Sequence, residues 1–327
     1  MKVAIIGCGL IGRKRATFLP KGMELATVCD VNETAGVALA NNFNCRFEKK
    51  WQTVANDSAI QAVFIATTNN YLTPIGEACI LKGKHVLIEK PGARNPEEFQ
   101  RLIDAHQKSP VVVRFGFNHR YHPSLLKAKE IVASEVFGPV MFIRAKYGHG
   151  ARLGYGKEWR FNPAIAGGGE LLDQGSHLID LTNYFIGEMD EVMGMTGKLF
   201  WSEKLEDSAC ITMRNRKGQL VQLSATCIEW KNVFQFEIMC KTAKIQINGL
   251  GMSYGKETII LYKMKPEMGP PDVEEIDFEQ EDHSWQLENE EFSRAIEKKD
   301  YSDKKLREAK YCIDTVFKVY QLNQKQP

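Results

Sequence analysis

The sequence lacks the long apolar runs and the charge excess that mark two large classes of protein. No stretch has the roughly 20 consecutive apolar residues that a membrane-spanning helix needs. The 43 basic and 41 acidic residues nearly cancel and leave a net charge of +2. Proteins that bind nucleic acid or an anionic membrane usually carry a basic excess. We therefore expect neither nucleic acid nor a membrane as the main partner.

The sequence also lacks the cysteine spacing of a zinc site. Its eight cysteines are scattered and form no C-x-x-C pair, so we expect no structural zinc. Cys29, Cys210 and Cys240 lie in apolar, strand-like runs, where a reduced thiol behaves as a small hydrophobic side chain. Because the cytosol keeps thiols reduced, this usage predicts a cytoplasmic protein.

What the sequence does have is an opening typical of a dinucleotide-binding βαβ unit. Residues 3–6 predict a buried parallel strand, and Gly7, Gly9 and Gly12 follow as G-x-G-x-x-G. The first glycine permits a tight turn, the second lets a pyrophosphate approach, and the third allows close packing of helix on strand. A helix that begins here points its free N–H groups at the phosphates. The predicted cofactor contacts in this turn are Gly7, Gly9, Leu10, Ile11 and Gly12.

Asp30 ends the next predicted strand, at the distance from the glycines that the fingerprint requires. A carboxylate at this position accepts hydrogen bonds from the adenosine ribose hydroxyls and repels a 2′-phosphate. The residues at 31–33 supply no Arg or Lys that could bind such a phosphate. The sequence therefore predicts NAD, rather than NADP, as the cofactor.

The order of predicted elements indicates two domains. Strands and helices alternate as far as residue 121, which predicts a doubly wound parallel sheet, the Rossmann fold. From about residue 190 to residue 265, apolar and polar residues alternate, which is typical of an antiparallel sheet with one face on the core. We predict an α/β protein with an NAD-binding Rossmann domain at 1–121. An α+β domain at 122–327 would carry a large, open, mostly antiparallel sheet and bind the substrate. A last helix at about 303–323 could pack back on the first domain.

Three polar positions are candidate catalytic residues. Lys90 ends a buried strand at the carboxyl edge of the parallel sheet, where such sheets bind ligands; a solvated strand-end lysine is the alternative. Asp173 and His177 lie four residues apart in a predicted helix and would share one face, with Cβ atoms roughly 6 Å apart. They predict an acid–base pair, with a structural hydrogen bond as the alternative. We expect no metal, because only Asp180 could join them.

Three stretches resemble the glucose–fructose oxidoreductase, inositol dehydrogenase and MocA (Gfo/Idh/MocA) family, namely residues 3–15, 83–98 and 157–181. The resemblance implies that Lys90 is the catalytic lysine and that Asp173 and His177 take the two acid–base positions. It implies a homodimer or homotetramer that assembles through the open sheet. It extends the cofactor contacts to Thr67, Thr68, Asn69, Glu89, Lys90, Trp159 and Arg160. The substrate contacts would be Lys90, Asn118, Arg120, Tyr155, Arg160, Asp173 and His177.

The predicted function is hydride transfer between NAD and a secondary alcohol of a sugar or nucleotide-sugar. His177 would take the hydroxyl proton, Asp173 would orient His177, and Lys90 would hydrogen-bond the same oxygen; the residues leave two candidates for the base, Lys90 and His177. The narrower resemblance is to enzymes of surface-polysaccharide sugar biosynthesis. In such an enzyme, cations would bind the diphosphate, and aromatic rings would stack on the base or the sugar. The candidates are Arg144, Lys146, Arg152, Lys157 and Arg160, with Tyr147, Tyr155 and Trp159; a solvated basic loop is the alternative.

Two alternatives stay open. The same catalytic residues would serve an inositol or free-aldose dehydrogenase that makes no diphosphate contacts. A catalytically silent, NAD-binding regulator on the same scaffold is an alternative from another class, against which the presence of Lys90 and His177 weighs.

Overall fold

The computed structural model describes residues 1–278 and 281–324, and these divide into two compact units. The first unit contains three segments of chain, Met1–Asn118, Ala164–Gly167 and Trp285–Ile313. The second contains His119–Pro163, Gly168–Ser284 and the described residues from Asp314 onward. The sequence predicted one boundary near 121–122. In the structure the chain leaves the first unit after Asn118 and enters it again twice. Residues 279–280 and 325–327 of the predicted second domain lie outside the described residues.

The first unit is built on a six-stranded parallel sheet with strand order β3-β2-β1-β4-β5-β6. The strands are β1 (Lys2–Ile6), β2 (Glu24–Cys29), β3 (Arg46–Glu48), β4 (Ala62–Ile65), β5 (His85–Glu89) and β6 (Val113–Gly116). The helices between them are α1 (Leu10–Thr17), α2 (Glu33–Phe43), α3 (Trp51–Asn56), α4 (Asn69–Leu81) and α5 (Pro96–Lys108). The order reverses direction beside β1, so the carboxyl ends of β1 and its neighbours form the crevice at which such sheets bind ligands.

Local chemistry explains where these helices begin. The Asn95 side chain accepts a hydrogen bond from the backbone N–H of Glu98 at 2.8 Å, and Pro96 occupies the first helical position of α5. Asn32 caps α2 in the same way, through the N–H of Ala35 at 3.2 Å. Each cap satisfies an N–H group that the first turn of a helix leaves without an intrahelical partner.

The second unit is built on an eight-stranded sheet with order β14-β13-β12-β11-β7-β10-β9-β8. After a 3₁₀ turn (Asn118–Tyr121) come α6 (Pro123–Ala133), β7 (Val140–Gly148) and two 3₁₀ turns (Tyr155–Lys157 and Trp159–Phe161). The chain then passes through α7 (Pro163–Ala166), most of which belongs to the first unit, and continues in the second with a π turn (Leu171–Gly175) and α8 (Ser176–Ile186). The remaining strands are β8 (Glu191–Gly197), β9 (Ser208–Arg214), β10 (Leu220–Thr226), β11 (Val233–Cys240), β12 (Ala243–Asn248), β13 (Glu257–Lys263) and β14 (Asp272–Phe278). All neighbours pair antiparallel except β7 and β10.

Side chains alternate between the two faces of this sheet. Ala209, Ile211 and Met213 of β9, which the sequence predicted to share one face, are all buried. Phe236 of β11 lies on the covered side, where its ring centroid is 5.5 Å from that of Phe185 in α8. The parallel sheet of the first unit and this mostly antiparallel sheet confirm the predicted α/β fold class.

The last two helices are α9 (Ser284–Glu297) and α10 (Lys304–Gln324). Residues of α9 and the first half of α10 belong to the first unit. Phe292 of α9 is fully buried there, with its ring edge-on to Phe64 at 5.3 Å. None of the helices in the described part of the chain is long and apolar enough to cross a membrane.

Candidate active site

In the glycine-rich turn after β1, only one of the three glycines has space for a Cβ atom. Gly7 has a φ of +98°, and a Cβ atom there would lie 2.3 Å from the carbonyl oxygen of Ala66. A Cβ on Gly12 would lie 1.8 Å from the carbonyl oxygen of Gly7, whereas a Cβ on Gly9 would meet nothing within 4 Å. Gly9 therefore exposes bare backbone at the N-terminus of α1, beside Leu10 and Ile11. This cradle fits the pyrophosphate of a dinucleotide, which binds at helix N-termini.

Asp30 is held in place by the same turn. The backbone N–H of Cys8 donates to one carboxylate oxygen at 2.6 Å, and the N–H of Asn32 donates to the other at 2.7 Å. Each oxygen keeps further acceptor capacity for ribose hydroxyls. Burial, reinforced by the Asp30 carboxylate, raises the pKa of the Cys8 thiol to about 12, so this side chain stays neutral beneath the turn.

Thr67, Thr68 and Asn69 form the turn between β4 and α4. Thr67 and Thr68 are half-buried, and the Thr68 hydroxyl donates to the side-chain oxygen of Asn70 at 2.7 Å. The Asn69 amide donates to the carbonyl of Ala166 at 2.9 Å, which anchors α7 within the first unit. Asn69 therefore has a role inside the fold besides the cofactor contact that the sequence suggested.

Lys90 directly follows β5 and is half-buried, and its peptide bond to Pro91 is cis. The preceding Glu89 is buried and accepts hydrogen bonds from Nε and Nη2 of Arg15 at 2.9 and 2.6 Å. Glu89 thus has a structural partner inside the fold, and its predicted cofactor contact stays a prediction. Because β2, β1, β4 and β5 are neighbours, it also brings Asp30, the glycine-rich turn, Thr67, Thr68 and Lys90 to one edge of the sheet.

Asp173 and His177 do not lie on one regular α-helix. Asp173 is in the π turn, and His177 is the second residue of α8. The four-residue spacing argument assumed the angular step of a regular α-helix, which the backbone does not keep over Leu171–Gly175. That the two side chains form an acid–base pair on one face stays a prediction. Such π turns are frequent at functional sites, and no sequence pattern considered above predicted this one.

Asp173 is paired with Arg160. The Nε atom of Arg160 donates to the Asp173 carboxylate at 3.2 Å, and the guanidinium lies over the ring of Trp159 at 4.8 Å. Burial alone would lower the pKa of Arg160, but Asp173 and neighbouring groups raise it above its usual value. The second unit therefore brings together three of the residues that the sequence singled out.

His177 is buried against residues that the sequence did not single out as catalytic. Its ring stacks on that of His119, with centroids 3.7 Å apart, and meets the ring of Tyr147 nearly at right angles at 6.0 Å. Burial, followed by the charge and hydrogen bond of Tyr254, raises the pKa of Tyr147 well above its usual value. The only available signal for His119 was its place in N-H-R-Y-H, directly after the last strand of the parallel sheet.

Besides His177, three of the predicted substrate contacts are buried. Arg120 donates to both carboxylate oxygens of Asp180 at 2.7 and 2.6 Å, so its charge is engaged inside the second unit. The ring of Tyr155 packs against Phe161 and Trp201 rather than standing free to stack on a ligand. Asn118, the last residue of the first unit's opening segment, is also buried. Among the described residues, no group of His, Cys, Asp and Glu could hold a metal ion.

Two family models match this chain. The Gfo/Idh/MocA oxidoreductase family with an NAD-binding Rossmann fold matches residues 1–117, and the GFO/IDH/MocA C-terminal domain matches residues 125–246. The chain belongs to the Gfo/Idh/MocA family. The predicted family is thereby confirmed, as is an NAD-binding Rossmann domain at the start of the chain.

Curated relatives cover part of the sequence. Levoglucosan dehydrogenase of Pseudarthrobacter phenanthrenivorans is 34% identical over 207 residues, which are 59% of this chain and 53% of that protein. Inositol 2-dehydrogenase 2 of Saccharopolyspora erythraea is 27% identical over 193 residues, 58% of this chain and 54% of that one. The chain thus matches about half the length of these relatives. Inositol 2-dehydrogenase/D-chiro-inositol 3-dehydrogenase of Lacticaseibacillus casei is 24% identical over 277 residues, 77% and 73% of the two chains.

Solved structures share the whole fold. Levoglucosan dehydrogenase in complex with NADH superposes with a TM-score of 0.89 at 20% identity, over 99% of this chain and 97% of that one. An oxidoreductase domain protein from Kribbella flavida gives a TM-score of 0.87 at 22% identity, over 99% and 97%. At such identity the likeness establishes the common fold.

Proposed function

We propose that this protein is an NAD-dependent dehydrogenase that acts on a secondary alcohol of a sugar or polyol. The observation that carries the proposal is the buried His177, which lies two residues after the π turn that contains Asp173. In the same chain Lys90 stands at the ligand-binding edge of an NAD-binding Rossmann sheet. The names of the relatives, levoglucosan dehydrogenase and inositol dehydrogenase, support the substrate class.

In the proposed reaction, residues of the chain bind the substrate hydroxyl group and accept its proton. NAD, when bound, supplies the nicotinamide that accepts or returns the hydride. His177 takes the proton of the substrate hydroxyl, and Lys90 donates a hydrogen bond to the same oxygen. Asp173, held by Arg160, supplies negative charge near the imidazolium that forms. Base catalysis of this kind contributes ~10²–10⁴ in rate.

The cofactor would lie along the carboxyl edge of the first sheet. The bare backbone at Gly9 would receive the pyrophosphate, and Asp30 would accept hydrogen bonds from the ribose. The half-buried hydroxyls of Thr67 and Thr68 lie at the next turn of that edge. A fixed carboxylate at Asp30 supports NAD over NADP, because a 2′-phosphate would meet its negative charge.

The charges near the predicted substrate loop favour a free sugar or polyol over a nucleotide-sugar. Arg144 pairs with Glu237, and Arg152 pairs with Glu158, each at 2.5 Å. Lys146 precedes Tyr147 in β7, so its side chain leaves the face of the sheet opposite to the one where Tyr147 meets His177. These cations are therefore poorly placed to bind a diphosphate at the site of His177. The nucleotide-sugar hypothesis, with a role in surface-polysaccharide biosynthesis, becomes the second candidate.

A substrate panel tests this proposal. Nicotinamide absorbance is followed with NAD and free aldoses, inositols, an anhydrosugar and nucleotide-sugars, for the wild type and for His177→Ala. We expect turnover with a free sugar or polyol and a loss of about 10²–10⁴ in kcat in the variant, with NAD binding retained. Turnover only with nucleotide-sugars would favour the second candidate. NAD binding without turnover on any member would favour the regulator.

We also propose a cytoplasmic homodimer or homotetramer that assembles through the open face of the second sheet. Met193, Met195 and Leu220 are exposed on this face, at 73%, 66% and 45%. Their exposure supports an interface, because exposed apolar patches often mark association sites. All eight cysteines are free thiols, which supports a reducing compartment. Light scattering of Met195→Glu beside the wild type tests the assembly: an unchanged oligomer would contradict this interface.

A further inference from the structure

A fully buried arginine joins the glycine-rich helix to the strand that ends at the lysine. Arg15 of α1 has no exposed surface. Its Nε and Nη2 atoms both donate to Glu89, at 2.9 and 2.6 Å. Nη1 donates to the Asn289 side chain at 2.8 Å, and Nη2 lies 2.6 Å from a carboxylate oxygen of Glu288. The guanidinium carbon Cζ of Arg15 lies over the ring of Trp285, 4.7 Å from its centroid.

The surrounding backbone leaves space for this pair of charges. A Cβ on Gly116, in the neighbouring strand β6, would lie 2.5 Å from Glu89 Oε2 and 3.0 Å from Arg15 Nη2. A side chain at this position of β6 would therefore push Glu89 and Arg15 apart. The bare backbone of Gly116 therefore makes room for both side chains.

The ion pair of Arg15 and Glu89 connects the cofactor cradle to Lys90. Arg15 lies in the second turn of α1, which begins at the cofactor cradle, and Glu89 is covalently next to Lys90. A guanidinium that makes two hydrogen bonds to one carboxylate also fixes orientation, since its donors form a rigid fork. We propose that Arg15 and Glu89 are positioning residues that hold Lys90 in register with the dinucleotide-binding turn. This inference rests on the proposed role of Lys90 in the reaction.

The two carboxylates around Arg15 are not equivalent. Glu89 receives two N–H groups of Arg15 and is adjacent to Lys90, whereas Glu288 lies on α9, far from Lys90 in the sequence. Burial raises the pKa of Glu288 to about 8 despite the opposing effect of Arg15. Burial therefore favours the protonated form of Glu288, and a neutral amide of the same shape should disturb this position little.

This asymmetry provides a matched pair of variants, Glu89→Gln and Glu288→Gln. The measurements are kcat, the substrate KM, the Kd of NAD and the thermal midpoint. We expect Glu89→Gln to lower kcat about tenfold to hundredfold, because small misplacements of catalytic groups cost rates of this order. KM and the Kd of NAD should change much less. Glu288→Gln should keep kcat within about twofold, because it removes no interaction made in the transition state.

Lys90→Met separates failure of this inference from failure of the proposed function. If Lys90→Met turns over normally, the proposed function of Lys90 is wrong. If Lys90→Met is inactive while Glu89→Gln keeps wild-type kcat, the positioning role is wrong and the proposed function stands. The positioning role would also be overturned if both glutamine variants lost kcat equally and if these losses followed the decreases in their thermal midpoints. Should Glu89→Gln fail to fold, Arg15→Lys replaces it, since lysine keeps the charge without the fork.

Discussion

The imidazole ring of His119 lies on that of His177, with centroids 3.7 Å apart and planes inclined by 24°. Tyr147 closes another side, 5.2 Å from the ring of His119, which leaves His177 little freedom to tilt. The three rings come from a 3₁₀ turn, the end of β7 and the start of α8. Packing against these two rings therefore helps to orient the proposed base.

Replacing His119 should separate ring packing from chemistry. We expect His119→Ala to lower kcat about tenfold or more, because His177 would lose the surface that orients it. His119→Phe keeps a flat ring and should retain more of the activity. Steady-state kinetics beside thermal midpoints measure both effects. Wild-type kcat in His119→Ala would show that the stack has no part in catalysis.

Two replacements of Lys90 distinguish a fixed charge from a compact donor. Lys90→Arg keeps the charge but adds a planar fork that cannot lose a proton, and Lys90→Met keeps approximate length without charge or donors. We expect both variants to bind NAD and both to lose turnover, by ~10² or more. Measuring kcat and the Kd of NAD checks this. Strong activity in Lys90→Arg alone would instead indicate a purely electrostatic role.

Asp30 should determine cofactor choice. We expect the wild type to bind NAD about tenfold tighter than NADP or better, and Asp30→Asn to lose most of that preference. Glu33→Gln is the matched control, since Glu33 is an exposed acid three residues further along the chain, and its carboxylate lies 3.4 Å from Nζ of Lys49. Fluorescence titration with both cofactors measures the ratio. A similar loss of preference in the two variants would show that overall charge, and not Asp30 itself, selects NAD.

Asp207 should be important for stability. Its fully buried carboxylate accepts hydrogen bonds from the backbone N–H groups of Leu199, Phe200 and Trp201, at 3.1, 2.7 and 2.9 Å. Asp207→Ala leaves these donors unsatisfied, and we expect a loss of about 2–4 kcal/mol in the free energy of unfolding. Urea denaturation measures it. Asp190→Ala removes a more exposed carboxylate that accepts from the N–H of Arg216 at 2.9 Å, and should cost less.

Glu288 should make stability depend on pH. Its folded-state pKa is raised from 4.5 to about 8, so between these values the folded protein binds more protons than the unfolded chain. The free energy of unfolding should therefore fall as pH rises through this window, by up to about 1.4 kcal/mol per pH unit. Glu288→Gln should remove this part of the slope. The free energy of unfolding is measured against pH for the wild type and for Glu288→Gln. Parallel curves from pH 5 to pH 8 would contradict the role of Glu288 in this pH dependence.

Short-range patterns predicted the first sheet, because its signals are local. The glycine spacing, the Asn95 cap and the acid at Asp30 each depend on a few adjacent residues, and the structure has the expected strand, turn or helix at each. Contacts between distant segments had no such signal. Nothing in the sequence near Glu89 indicates that Arg15, 74 residues earlier, is its partner, or that His119 meets His177.

Rules of periodicity do not detect a local departure from a regular helix. The spacing of Asp173 and His177 is correct for an α-helix, but the π turn at Leu171–Gly175 changes the angle between them. The charges of Arg120 and Arg144 were visible in the sequence, whereas their partners Asp180 and Glu237 were not. A basic residue in a sequence is thus a weak guide to an anion site until its acidic neighbours are known.

The burial of Phe292 beside Phe64 affects when the first unit can fold during translation. During translation, residues 1–118 emerge from the ribosome well before Trp285–Ile313, although both segments build the first unit. Until then the nascent chain lacks Phe292 in its core and lacks the Asn289 side chain that binds Arg15. The cofactor domain therefore cannot complete its folding during early synthesis, and a gene fragment that stops after Asn118 should yield an unstable product. Chaperones that hold nascent chains would meet this domain in an unfinished state for most of translation.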